Sequence, residues 1–351
     1  MHKTIVVKDQ RYLNHITGDY HPESPQRLER IYRMLKDTEL AGRFIEVPPR
    51  AATKEELALN HSRDYIERIE QTAGKSHTML DPDTHASAGS WEAAVFAAGG
   101  VLSALDLLTE GRADNGFALV RPPGHHAEAS RAMGFCLFNN IAIGAHYLIK
   151  QYKLERILIV DWDLHHGNGT QKSFYTSPEV LYCSTHQYPY YPGTGSIEEI
   201  GDGNGRGYTL NIPLRGGQGD VDYIKLFQEI IIPVADEYKP QFILISAGYD
   251  PYHRDPLGAM QVTPEGFSAL TALLMDCAGR HCNGRILAVL EGGYHLDGIT
   301  ESVKKTLLTF IDDHGAIQHH AGIEKPLLET ATVIKMVKRA HSEFWKALAH
   351  N

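Results

Sequence analysis

Two carboxylates and two imidazoles stand together where an apolar run ends. Ile157, Leu158, Ile159 and Val160 lead directly into Asp161, Trp162, Asp163, Leu164, His165 and His166. An apolar run of that length, bounded by polar residues, reads as a strand buried on both faces. In an open α/β sheet, ligands bind just beyond the carboxyl ends of the strands. Asp163 and His165 alternate with Trp162 and Leu164, so on an extended backbone they point to one side. That spacing offers a divalent metal one carboxylate oxygen and one imidazole nitrogen.

Three other apolar runs end in the same way. Residues 117–120 (FALV) lead into RPPGHH with His125 and His126, 242–246 (FILIS) into AGYD ending at Asp250, and 286–290 (ILAVL) into EGGY ending at Tyr294. A lone His or Asp after a strand is ordinarily a cap or a satisfied loop residue, but four strands that each deliver one make a site. By residue type, Asp163, His165 and Asp250 form an O/N/O ligand set with one or two positions open, the mark of a catalytic metal. Zinc is the default, and two carboxylates also suit Fe²⁺, Co²⁺ or Mn²⁺. Such a metal lowers the pKa of bound water and polarises a carbonyl. Adjacent His125 and His126 should titrate as a coupled pair, one charged and one neutral. The neutral ring can take a proton from water, and the charged one can stabilise an intermediate or protonate a leaving amine. Tyr294 can donate its phenol proton to a developing oxyanion, and Gly292 and Gly293 permit a tight backbone beside it. This constellation hydrolyses an amide or ester without a covalent intermediate.

The elements that must position these residues follow from the rest of the chain. MHKTIVVKDQ reads as a first strand. Ser24 is a fair N-cap with Pro25 at the first helical position, and Leu28, Ile31 and Leu35 then keep helical spacing. Thr53 with Glu56 makes a capping box, 61–72 reads as a helix, and 86–108 as an Ala-rich buried helix. From Gly116 onward, apolar runs at 117–120, 156–160, 180–184, 208–212, 242–246 and 286–290 alternate with helical patterns such as 138–151, 220–237 and 263–281. That alternation predicts a mainly parallel sheet with helices on both faces. Residues 326–349 read as a C-terminal helix packed outside. The Gly-rich turns at 193–195 and 201–207 lack GxGxxG or Walker spacing between strand and helix, which gives nucleotide binding no signal.

Composition bounds the rest. The chain has 351 residues, 42% hydrophobic and 22% charged, which is ordinary globular composition with ample core. The net charge is −9 and no basic run appears, so nucleic-acid binding lacks its electrostatic footprint. Cys136, Cys183, Cys277 and Cys282 form no CxxC pair and read as reduced and mostly buried. No signal peptide and no apolar stretch of membrane-spanning length are expected, which points to the cytoplasm.

With these motifs on the page, the chain resembles the histone deacetylase and acetylpolyamine amidohydrolase superfamily, in its class II-like branch with prokaryotic relatives. The motifs are HPESPQRL (21–28), DPDTHASAG (81–89), RPPGHHA (121–127), GFCLFNN (134–140), DWDLHHGNGTQ (161–171), PGTG (192–195), AGYD (247–250) and LEGGY (290–294), spanning 21–294 in the family's order. The resemblance implies a single domain over 1–351 with an arginase-like fold, an α/β eight-stranded parallel sheet. It implies zinc held by Asp163, His165 and Asp250, and Asp161 buttressing His125. Asn168 falls where some members carry an aspartate, which leaves His126 less biased toward its charged form. His126 is then the general base, His125 the electrostatic member and Tyr294 the oxyanion donor.

The same resemblance places Phe135, beside Gly134, and Tyr191 as the aromatic walls of a substrate tunnel. It sets Leu257 at the mouth and Asp83 at a rim position that holds substrate backbone. Polyamine deacetylases can place a glutamate at the Leu257 position, so Leu257 favours acyl-lysine side chains. Potassium is implied beneath the zinc, at Asp161, Asp163, His165, Ser184 and Thr185, and farther off at Phe174, Ser177, Val180 and Tyr208. The leading expectation is a zinc-dependent deacetylase of N-acyl-lysine. The alternatives are an acetylpolyamine or small-amide hydrolase, with an entrance that loops or a second subunit could narrow, an arginase-like two-manganese hydrolase, and a non-catalytic acyl-binding protein. The intact site residues argue against the last.

Overall fold

The computed structural model describes residues 2–312 and 325–349. Its strands are β1 (Thr4–Val7), β2 (Ile45–Val47), β3 (Thr78–Asp81), β4 (Thr84–Ala86), β5 (Asn115–Ala118), β6 (Ile157–Asp161), β7 (Val180–Gln187), β8 (Thr209–Leu214), β9 (Phe242–Ala247) and β10 (Ile286–Leu290). The N-terminal half adds helices α1 (Gln26–Met34), α2 (Lys54–Leu57), α3 (Arg63–Glu70), α4 (Ser90–Thr109) and α5 (Asn140–Tyr152). The C-terminal half adds α6 (Asn168–Phe174), α7 (Asp220–Leu226), α8 (Ile232–Tyr238), α9 (Pro264–His281), α10 (Leu296–Asp312) and α11 (Leu328–His341).

Eight strands form one sheet in the order β2–β1–β5–β10–β9–β6–β7–β8, and every neighbouring pair is parallel. The inner strands are buried along their whole length, as expected when helices cover both faces and the strands read as continuous apolar runs. One helical group pairs α4 with α5, and the other packs α1, α10, α9, α7 and α8 in succession. β3 and β4 form a separate antiparallel hairpin from the DPDTHASAG segment.

Several boundaries differ from the sequence expectation. The β5 strand is Asn115–Ala118, two residues earlier than the apolar run 117–120. α1 has no side-chain cap, so Ser24 does not serve as one. Pro25 itself has helical φ and ψ of −54° and −30°. The Thr53–Glu56 capping box forms as expected. The pattern over 220–237 is interrupted by a π turn at Phe227–Ile231 between α7 and α8. Pro233, in the first turn of α8, has no N–H to give an ordinary helical bond, and the wider turn accommodates it. The C-terminal pattern is a helix only to His341. A separate short turn follows at Lys346–Leu348, anchored where the Trp345 indole donates to the Gly207 carbonyl at 2.9 Å. α4 is, by length and composition, apolar enough to cross a membrane, contrary to expectation. Two-thirds of it is buried against the protein instead, where it packs on β1, β5, β10 and α5. All four cysteines are buried and unpaired.

Candidate active site

β5, β10, β9 and β6 are consecutive neighbours in the middle of the sheet. The four runs that deliver titratable residues therefore end side by side, at one edge of the fold. The chain bends after Asp161 and does not continue extended as the alternation implied. Carboxylates build that bend: Asp161 Oδ1 accepts the Asp163 N–H at 3.2 Å, and Asp163 Oδ1 accepts the His165 N–H at 2.9 Å. An Asp that caps the amide two residues on is a standard local alternative to a strand. Asp163 and His165 still meet.

Asp163, His165 and Asp250 bring one ligand atom each within 4.8 Å of one another, all buried. His165 Nδ1 faces Asp163 Oδ1 at 3.1 Å and Asp250 Oδ2 at 3.0 Å. The remaining carboxylate oxygens are aimed by backbone: Gly292 N–H donates to Asp163 Oδ2 at 2.8 Å and Leu164 N–H to Asp250 Oδ1 at 2.9 Å. A Cβ on Gly248 would lie 2.0 Å from Asp163 Oδ2, and one on Gly292 would lie 2.4 Å from Asp250 Oδ2. Only glycine lets the strand ends approach the ligand set so closely. Burial alone would lower the His165 imidazole, but hydrogen bonds to Asp163 and Asp250 outweigh it and raise it to about 10. Burial, then the charge of Asp163, pushes Asp250 up to about 7. Two carboxylates sharing one proton with an imidazole, with no Lys or Arg paired to them among the described residues, form a donor set that fits a divalent cation.

The His125–His126 pair lies beside this set, with ring centroids 4.0 Å apart, and His126 is 5.9 Å from His165. His125 Nδ1 meets Asp161 Oδ2 at 3.0 Å, and the Tyr182 hydroxyl donates to the same oxygen at 3.0 Å. His126 Nδ1 meets Asn168 Oδ1 at 2.8 Å, while Asn168 Nδ2 donates to Glu128 Oε1 at 3.2 Å, which fixes the amide's orientation. The two rings diverge in charge. Burial would lower His125, but Asp161 and Asp163 raise it to about 10. Burial lowers His126 well below its ordinary value, and the charges of His125 and His165 add to that. Tyr294 follows Gly293, whose φ is +111°. Burial, then Asp250 and Asp163, pushes its phenol well above the usual range.

Phe135 and Tyr191, the expected walls, lie beside this cluster. Phe135 has φ +68°, an uncommon conformation for a bulky residue. It is held there by Phe135 N–H donating to Thr84 Oγ1 at 3.0 Å and Gly134 N–H donating to Asp83 Oδ1 at 3.1 Å. Its ring is 5.9 Å from Tyr294. A Cβ on Gly134 would lie 2.3 Å from the His126 ring. Tyr191 stands edge-on 5.1 Å from His126. Asp83, in the turn of the β3–β4 hairpin, thus supports the Gly134–Phe135 side. Leu257 is at the rim, where its carbonyl accepts from Tyr190 Oη at 3.0 Å.

Of the potassium set, Asp161, the last residue of β6, and Ser184, within β7, are cross-strand partners, and the buried Thr185 hydroxyl has no hydrogen-bond partner. Val180 lies at the opposite end of β7, and the Phe174 and Tyr208 carbonyls accept from Ser177 N and Tyr182 N.

Sequence reasoning missed the groups that hold the site from behind. Glu291 Oε2 accepts the N–H of Gly124 at 2.6 Å and of His125 at 3.1 Å. Asp255 Oδ2 accepts from Tyr294 N at 2.6 Å and His295 N at 3.1 Å, while Oδ1 accepts from Leu257 N at 3.0 Å. Asn140 Nδ2 donates to the Pro122 carbonyl at 3.1 Å. Tyr190 stacks on His165 at 5.8 Å. Glu291 and Asp255 were present in the quoted motifs or beside them, but their partners are backbone amides, which leave no pattern in sequence.

Comparison with known proteins shows the family and the fold. The sequence profile of the histone deacetylase domain matches residues 21–310. A probable deacetylase of Archaeoglobus fulgidus is 39% identical over 356 aligned residues, covering 98% of this chain and 99% of that protein. The polyamine deacetylase HDAC10 of Homo sapiens is 38% identical, covering 93% of this chain but 50% of that protein. The crystal structure of an HDA15 HD domain aligns with a TM-score of 0.92 at 38% identity, covering 99% of this chain and 96% of that one.

Proposed function

The chain belongs to the histone deacetylase family and is an amide-bond hydrolase, and from that premise we propose that it is a zinc-dependent deacetylase of N-acyl-lysine side chains. The observation that carries this is the Asp163–His165–Asp250 set lying beside two histidines with different partners, His125 on the Asp161 carboxylate and His126 on the Asn168 amide, which favour a charged and a neutral ring respectively. Family membership implies a divalent metal. Zinc is the assignment we make for a buried O/N/O set with open coordination. When bound, the ion lowers the pKa of water and polarises the scissile carbonyl.

The residues supply the rest. Asn168 accepts at His126 Nδ1, so that nitrogen carries the hydrogen and Nε2 keeps a lone pair. His126 Nε2 takes the proton of the attacking water as general base. His125, held charged by Asp161, stabilises the negative charge that develops on the acyl oxygen. Tyr294 keeps its proton and donates a hydrogen bond to that oxygen. Collapse breaks the C–N bond, and the leaving amine takes the proton from the dyad. Phe135 and Tyr191 line the approach for an alkyl chain, and Leu257 leaves the mouth without a carboxylate for a polyamine. Potassium near Ser184 and Thr185 is part of the same proposal. So is a reducing cytoplasmic setting, which suits four unpaired buried thiols.

The second reading, an acetylpolyamine hydrolase, is favoured by the similarity to a polyamine deacetylase. Steady-state hydrolysis of an acetyl-lysine peptide against N-acetylputrescine by the zinc-loaded protein separates the two. Peptide preference supports the lysine reading, and polyamine preference replaces it. No turnover of either overturns both and leaves longer acyl groups or acyl binding.

A further inference from the structure

Away from the active site, two helices bring a thiol, an imidazole and a carboxylate together. Cys277 and His281 are one turn apart on the last stretch of α9, an i,i+4 pair that shares a face. Asp236 faces them from the last turn of α8. One ligand atom from each lies within 4.8 Å of the others. α8 and α9 end where the chain enters β9 and β10, so this cluster sits at the amino ends of the strands, opposite the active site.

We propose that Asp236, Cys277 and His281 form a second metal site, for a thiophilic divalent cation of the Zn²⁺ class. The three donor types are those that zinc takes, and sulfur with imidazole favours it over magnesium or calcium. Cys277 is buried, whereas the Asp236 side chain is 42% and the His281 side chain 17% exposed. The ion would therefore sit at the surface end of a buried thiolate, with solvent completing its coordination. Three contacts fall on Asp236 Oδ1: His281 Nε2 at 2.7 Å, and Arg280 Nη2 at 2.9 Å and Nε at 3.2 Å. Oδ2 is the oxygen left for the metal. Binding releases the thiol proton and replaces the Nε2–H that His281 turns toward Asp236. Arg280, which also pairs with Asp276, stays on the outer oxygen and holds the carboxylate. The site would clamp α8 to α9 just before the strands that carry Asp250 and Tyr294, and so add metal-dependent stability.

The test is a Co²⁺ titration of the full chain whose active site is already filled with zinc. The active-site ligands are oxygen and nitrogen, so a near-ultraviolet thiolate-to-cobalt charge-transfer band reports on a thiol outside that site, and C277S shows which of the four free cysteines supplies it. One further equivalent of Co²⁺ should bind with that band, and C277S should abolish it. His281→Gln, a partly exposed change that leaves the buried thiol in place, should weaken binding about tenfold or more, as outer partners of metal sites already do. No further equivalent, a further equivalent without the band, or a band that survives C277S would each overturn the proposal.

Discussion

Two buried polar clusters meet behind the strand ends, and they are built on opposite principles. One joins Glu23, Arg27 and Arg121, each 0% exposed. Every guanidinium nitrogen in it donates. Arg121 Nη2 meets Glu23 Oε2 at 2.8 Å and its Nη1 the Tyr12 carbonyl at 2.8 Å. Arg27 Nη1 meets Glu23 Oε1 at 2.8 Å, and its Nε meets the Gly293 carbonyl at 2.7 Å. The other cluster gathers Asp161, Asp163 and Asp250 around His125, His126 and His165, and no Arg or Lys donates to it. A buried charge is costly unless paired. The first cluster is complete within the chain and serves as scaffold. On the proposed reading the second is completed from outside, by a cation, water and a substrate carbonyl, and that incompleteness would make it reactive.

The comparison predicts which losses cost activity and which cost stability. The largest effect on turnover should come from Asp250→Ala. It should lose bound metal and activity together, by at least about a thousandfold, because the ion supplies several kcal/mol of barrier lowering. The metal-free variant should unfold near the metal-free wild type, since the change relieves a crowded pair of carboxylates. Metal analysis beside chelated urea unfolding checks both, and retained metal would refute the ligand assignment. Arg121→Met should do the reverse. It removes the bidentate partner of a buried Glu23, leaving Oε2 without its guanidinium and Arg27 as the remaining counter-charge, which should cost about 3 kcal/mol of folding stability. A loss under about 1 kcal/mol would mean that the closed cluster is not a structural pair at all.

The contrast was only half visible in the sequence. The open cluster was legible because its residues follow directly on apolar runs, and parallel core strands are the easiest elements to read. The eight-stranded sheet was legible except at its edge: β2 is three residues with Glu46 inside it and Ile45 exposed, too short and too polar to signal a strand. The closed cluster was hidden. Glu23 and Arg27 show an ordinary i,i+4 spacing, their partner Arg121 is 98 residues from Glu23, and nothing local says that the three are buried. Asp255 and Glu291 were hidden for another reason, since they bind backbone amides whose positions only the fold defines. The β3–β4 hairpin that holds Gly134 and Phe135 through Asp83 and Thr84 was likewise unread, because its strands are short and partly exposed.

Tyr294→Phe tests whether the open cluster works through charge placement rather than through the ion alone. The ring should stay between Phe135 and Arg27, whose guanidinium carbon lies 5.1 Å from its centroid, and metal should be retained. Turnover should fall by about a hundredfold to a thousandfold, the usual cost of one oxyanion donor. Single-turnover kinetics on the zinc-loaded variant measures it, and near-normal turnover would remove Tyr294 from the chemistry.

The smallest effect is the most informative, because Glu291 belongs to both clusters. Its carbonyl accepts from Arg27 Nη2 at 2.5 Å, while its carboxyl holds the Gly124 and His125 amides. In the metal-free protein, burial raises this carboxyl to about 7, only partly offset by the charge of His125. An unfolded glutamate titrates near pH ~4.3. Between those values the folded chain holds the extra proton, so this group's contribution is full below about pH 4.3 and is lost as pH rises through about 7. In the closed cluster the sign is opposite. Burial, then Arg121, lowers His15 to about 3, so its contribution is present above about pH 6.5 and is lost as pH falls toward 3. Glu291→Gln keeps an acceptor for the two amides but cannot titrate. Its stability relative to wild type should therefore improve by about 2 kcal/mol between pH 5 and pH 8, by urea unfolding of chelated protein. A difference that stays flat across that range would mean that Glu291 is ionised throughout and already satisfied by backbone, and the boundary between the two clusters would then lie at His125 instead.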